Sequence, residues 1–84
     1  MTDKQFEQLQ IELREKDTPY YSREELEYFF DKHGGNIKNV LYECLLIKAE
    51  NTTLTISGMS TSDTSRYFKM LAQKYRPNHS GNLL

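Results

Sequence analysis

The sequence predicts an all-α fold, a small bundle of about four helices with one short extended, β-like segment between the last two. Three observations predict it. Helix-capping residues recur along the chain, with Ser22 three residues before Glu25 and Gly34-Gly35-Asn36 closing one helix and opening the next. Apolar residues repeat at spacings of three and four. The stretch around Thr53-Leu54-Thr55-Ile56 instead alternates β-branched positions and is followed by Gly58. Residues 1–77 read as a single helical domain and 78–84 as a flexible C-terminal tail, too poor in apolar residues to hold itself in place.

The first helix is expected from about Asp3 to Lys16, capped by Thr2 with Gln5 three residues on. Phe6, Leu9 and Leu13 line one side of it and Ile11 lies off that stripe. Asp17-Thr18-Pro19-Tyr20-Tyr21 is a break, because Pro19 disfavours helix at Thr18 and has no amide to donate. The second helix covers Arg23 to His33, with Ser22 as cap, Tyr21 as a hydrophobic staple, and Leu26, Phe29 and Phe30 facing inward.

The third helix starts after Asn36 and runs to about Glu50, with Ile37, Val40, Leu41, Cys44 and Leu45 on one face. Tyr42, Leu46 and Ala49 form a second stripe, so this helix is central to the domain or offers its second side to a partner. Lys48 falls within the first stripe, where the expectation is a buried stem with its ammonium snorkelling to water. The last helix is expected to start after Thr61 or Ser62 and to carry Phe68, Leu71, Ala72 and Tyr75 before Arg76 and Pro77 stop it. Tyr67 and Met70 make a weaker second stripe there.

The 84 residues contain no long apolar run and no leader, which predicts a protein made in the cytoplasm without a membrane span. Net charge is −1, yet residues 1–33 hold five Lys and Arg against nine Asp and Glu, and residues 34–84 hold six against three. Opposite charge on the two halves suits a head-to-tail contact between copies, and a core of this size, supplying about 3–5 kcal/mol of net stability, favours self-association. Ordinary surface charge is the alternative. The basic residues Arg66, Lys69, Lys74 and Arg76 are interspersed with Tyr67, Phe68, Leu71 and Tyr75 rather than clustered as in a nucleic-acid patch.

No catalytic constellation is written in the sequence. His33, His79 and Cys44 stand apart rather than at metal-ligand spacing, and Gly34-Gly35 lacks the lysine of a phosphate loop. Cys44 reads as a small buried hydrophobe, and His33 as a helix-end cation. The expectation is a protein without enzymatic activity or cofactor. Six tyrosines are too many for the interior of so small a domain and point to interfaces. Leu54 and Ile56 would share one face of a strand that needs a mate, either in another chain or a partner's edge, unless the segment is an irregular loop tucked onto the core.

Taken together, Pro19-Tyr20-Tyr21-Ser22-Arg23-Glu24-Glu25-Leu26, then Gly34-Gly35-Asn36 leading into Tyr42-Glu43-Cys44-Leu45-Leu46-Ile47-Lys48-Ala49-Glu50, then the Thr-rich stretch with Gly58-Met59-Ser60, then Ser65-Arg66-Tyr67-Phe68, Leu71-Ala72 and Tyr75-Arg76-Pro77-Asn78, resembles the small head-to-tail connector, or adaptor, proteins of tailed bacteriophages and prophages. The resemblance spans residues 17–78 and departs from the family in leaving no room for a long C-terminal arm. It implies a ring of copies beneath the portal, with DNA as passing cargo and no membrane, located at the head-tail junction of the virion after assembly in the host cytoplasm. The expected subunit or portal contacts are Thr53, Leu54, Thr55, Ile56 and Met59 in the extended segment, together with Tyr42, Leu46 and Tyr67. The rival reading is a helical interaction module or helix-turn-helix regulator, since Gly34-Gly35-Asn36-Ile37 also looks like the turn of a ubiquitin-associated-type domain. Such domains use about forty residues and leave the expected Leu54 to Met59 strand and the last helix unexplained. A regulator would also want a basic recognition helix, whereas the third helix sets Lys38 and Lys48 against Glu43 and Glu50.

Overall fold

Capping chemistry sets where the helices begin. The computed structural model describes residues 1–51 and 58–77, and over these the chain is all-α: α1 (Asp3–Glu12), α2 (Arg23–Lys32), α3 (Ile37–Glu50) and α4 (Thr61–Gln73), with no strand among the described residues. The extended segment expected at Thr53, Leu54, Thr55 and Ile56 and the tail expected at 78–84 lie outside them. Thr2 accepts the Gln5 amide at 3.1 Å while Gln5 Oε1 accepts the Thr2 amide at 2.9 Å. Ser22 and Glu25 repeat this reciprocal box at 3.1 and 2.9 Å. Asn36 Oδ1 takes the Asn39 amide at the start of α3.

α4 starts earlier than expected, because Ser60 rather than Thr61 or Ser62 is the cap. Ser60 Oγ accepts the Asp63 amide, and its carbonyl accepts both the amide and the hydroxyl of Thr64. This register places Ser65 Oγ 2.6 Å from the Ala49 carbonyl, pinning the first turns of α4 to the last turn of α3.

Two helices end in the same way with different residues. At the end of α2 the Gly35 amide donates to the Phe30 carbonyl and the Gly34 amide to that of Asp31, with φ of 83° and 61°, so α2 stops at Lys32 with His33 as its C-cap. At the end of α1 the Glu15 amide donates to Gln10 and the Arg14 amide to Ile11, but the left-handed residue is Arg14, at φ 59°. A non-glycine residue there costs about 1–2 kcal/mol. α1 therefore stops at Glu12 rather than at Lys16, and residues 13–21 form an irregular linker into α2.

α3 packs on each of the other three helices and most extensively on α4, whereas α2 and α4 do not touch. The core joins Leu9, Leu13, Leu26, Val40, Leu41, Cys44, Leu45, Ala49, Phe68, Leu71 and Ala72, with Phe6, Tyr21, Phe29 and Tyr75 half-buried against it. The described chain spreads over 38 × 37 Å with a thickness of only 16 Å.

A side chain at Gly34 would meet only open space, so replacing this residue tests backbone conformation alone. Gly34→Ala is expected to lower unfolding stability by about 1 kcal/mol through the left-handed φ, as read by urea denaturation with helical circular dichroism.

Candidate functional site

The dominant polar feature is inside the molecule. Lys48 is fully buried, which corrects the expectation of an ammonium snorkelling to water. Its Nζ donates at 2.7 Å to each of three oxygens, the Leu13 carbonyl, Glu15 Oε2 and the Thr18 carbonyl, and lies 4.8 Å from the centre of the Phe68 ring. An ammonium has three protons, and here all three are committed. Glu15 is itself 7% exposed, and its other oxygen accepts the Tyr20 and Tyr21 amides at 3.0 and 2.9 Å. Burial pulls the Lys48 pKa below the ordinary lysine value, and Glu15 acts against that shift.

The same linker makes a second tie to α3. Tyr21 Oη donates to the Cys44 carbonyl at 2.7 Å, and burial raises the phenol pKa above its ordinary value. Burial likewise pushes the Cys44 thiol up to about 12, so at neutral pH it is a protonated, packed side chain. Lys48 and Tyr21 therefore both hold α3 to the segment between α1 and α2.

The expected contact residues divide between two surface depressions. Tyr42 and Leu46 line one of about 430 Å³ with Asn39, Glu43, Lys32, His33 and Pro77. Met59 and Tyr67 line another of about 270 Å³ with Asp63, Arg66 and Met70. The structure thus joins Tyr42 to Leu46 and Met59 to Tyr67, without bringing the two pairs into one site. Tyr67 is also tied internally, since its hydroxyl accepts Arg14 Nε at 3.0 Å. Thr53, Leu54, Thr55 and Ile56 lie outside the described residues.

Glu43 organises the rim of the first depression. Lys32 Nζ lies 2.8 Å from Oε2 and His33 Nε2 lies 2.6 Å from Oε1, which ties the end of α2 to α3. Burial opposes the Glu43 charge, but the hydrogen bonds from Lys32 and His33 outweigh it and hold the carboxyl below its ordinary pKa. Among the described residues no group of His, Cys, Asp and Glu is placed to hold a metal ion, and no helix is long and apolar enough to cross a membrane.

Comparison with family models, curated proteins and solved structures finds no match to the chain. The internal geometry is therefore the main guide to what its residues do. Sequence reasoning missed the Lys48–Glu15 pair, although one signal pointed to it. A lysine that continues the apolar stripe of Val40, Leu41, Cys44 and Leu45 requires either a route to water or a buried acceptor.

Removing one member of a buried pair costs about 3–5 kcal/mol, comparable to the entire net stability of a domain this small. Lys48→Met is expected to abolish cooperative urea unfolding, and Glu15→Gln, which keeps an acceptor for the Tyr20 and Tyr21 amides, to be less severe. On the surface, the lowered Glu43 pKa stabilises the fold fully above about pH 4.5, and that contribution is lost as pH falls through the folded-state value. Glu43→Gln is expected to flatten the acid side of a stability-against-pH curve measured by thermal denaturation.

Proposed function

We propose that this protein is a structural binding subunit, a component of the ring that joins a phage head to its tail, assembling on the portal during head completion. The observation that carries the reading is the division of labour among its residues. Inside, Lys48 and Tyr21 are engaged in tying α3 to the linker, and the Cys44 thiol is buried in the core. Half-buried Tyr42 and Leu46 instead line one open depression, and Met59 and Tyr67 line another. Such shallow, charge-rimmed apolar surfaces suit protein partners.

The connector assignment adds to this the arrangement of residues 17–78 that resembles phage adaptors, with Ser65-Arg66-Tyr67-Phe68 and Tyr75-Arg76-Pro77 on and after α4. In this reading Thr53 to Met59 and the Tyr42–Leu46 depression contact neighbouring subunits or the portal, and DNA passes without being read. The location is the head-tail junction.

The test is co-expression with the portal protein encoded in the same genome. The wild-type chain is expected to co-sediment with the portal. Leu54→Asp with Ile56→Asp, and separately Tyr42→Ala with Leu46→Asp, are expected to abolish that complex and infectious particles while retaining helical circular dichroism. Normal assembly of both folded variants would refute the assigned surfaces. A wild-type chain that ignores the portal and binds duplex DNA with steep salt dependence would replace the connector with the regulator.

A further inference from the structure

Two helices carry charge of opposite sign around an exposed apolar residue, and neither face is covered by the described residues. On α2, Tyr28 is 62% exposed, with Glu24 one turn before it and Asp31 one turn after. On α4, Met70 is 66% exposed, with Arg66 one turn before it and Lys74 one turn after. Lys69 is exposed beside them. Among the described residues, Glu24, Asp31, Lys69 and Lys74 enter no ion pair, and Arg66 reaches only Asp63, at 3.6 Å on an exposed face. The basic residues of α2 are already occupied, Arg23 by Asp3 and Glu27, and Lys32 by Glu43.

We infer that the α2 face of one subunit docks on the α4 face of a second copy, Tyr28 against Met70, with Glu24 and Asp31 opposite Arg66 and Lys74. The partner is this chain itself because the two faces are complementary to each other in sign, in centre and in spacing. The acidic pair is seven residues apart and the basic pair eight, or about 10.5 and 12 Å along their helices at 1.5 Å per residue. An aromatic ring and a thioether at the centre form a favourable contact. Within one subunit the two faces cannot satisfy each other, since α2 and α4 each pack on α3 and not on one another.

The contact is heterologous: each copy uses a different face toward each neighbour. Repetition then closes a ring or runs on as a filament. This deepens the ring-subunit reading and rests on it for closure, while the pairing of faces stands on the charge pattern. Charge also gives the contact an ionic-strength dependence, because exposed pairs are screened by salt.

The experiment uses the full chain at its highest soluble concentration in low salt, with sedimentation velocity and carbodiimide cross-linking mapped by mass spectrometry. Wild type is expected to self-associate and to yield intermolecular links between Lys69 or Lys74 and Glu24 or Asp31. Arg66→Glu with Lys74→Glu, and separately Glu24→Lys with Asp31→Lys, are each expected to weaken association about tenfold or more through like-charge contact. Mixing the two variants, or combining all four changes in one chain, restores opposite charges and is expected to recover association, with helical circular dichroism confirming that each variant is folded. A wild type that stays monomeric without these links, or folded reversals that associate as wild type does, would overturn the contact. Portal co-sedimentation separates the two proposals. Reversal variants that still assemble on the portal would sink this interface alone, and charge-rescued self-association in a chain that ignores the portal would sink the connector alone.

Discussion

One ammonium group fixes the path of the only long irregular segment that the structure describes. Lys48 projects from the last turn of α3 and takes acceptors from Leu13, Glu15 and Thr18, all in the linker between α1 and α2. For the Leu13 carbonyl to face Lys48, the helix must open there. The Asp17 amide accordingly turns back to the Arg14 carbonyl, three residues before it, and leaves the Leu13 carbonyl to Lys48. Arg14 enters the left-handed region as a consequence, and Glu15 is carried inward, where its second oxygen satisfies the amides of Tyr20 and Tyr21. A buried ion pair is close to neutral against a well-packed apolar substitute. Its effect here is on geometry, because every acceptor lies in the irregular segment between α1 and α2.

The helices were legible in the sequence wherever a local signal set them. Ser22 with Glu25, Thr2 with Gln5, Asn36, and Gly34-Gly35 act within a few residues of themselves, and each does in the structure what its spacing implies. The end of α1 was not legible. Leu13-Arg14-Glu15-Lys16 contains only good helix formers, and what stops the helix lies more than thirty positions away at Lys48. The start of α4 was misplaced by a residue or two for a different reason. Ser60, Thr61 and Ser62 are all competent caps, and the choice among them is settled by the contact between Ser65 and Ala49 across the helix pair. The expected stripe of Tyr42, Leu46 and Ala49 divides in the structure: Tyr42 and Leu46 line one depression, Ala49 is buried in the core, and Met59 and Tyr67 line a separate depression.

Packing is uneven across the molecule. α3 and α4 share the broadest contact, whereas α1 and α2 are joined to α3 through fewer contacts and a set of discrete polar ties: Lys48 to the linker, Tyr21 to the Cys44 carbonyl, and Lys32 and His33 to Glu43. Regions held by a few polar links rather than by broad apolar burial open at lower free energy. The α1–α2 arm is therefore the part of this fold whose position responds most to pH or to a partner. The 16 Å thickness points the same way, since a plate so thin leaves helix faces uncovered on its outside.

A thin, marginal plate gains stability from anything that binds its folded form, in proportion to the logarithm of partner concentration over the dissociation constant. Covering the α2 face would restrain the arm that its own core restrains least, whereas covering the α4 face adds to a helix already well held. The proposed heterologous contact would do both at once, one face on each of two copies, so each added subunit would stabilise the arm of its neighbour. Assembly and folding are then coupled through α2. The coupling has a sign: restraining α2 against α3 also protects the Glu43 bonds to Lys32 and His33, because these lie at the same end of the helix.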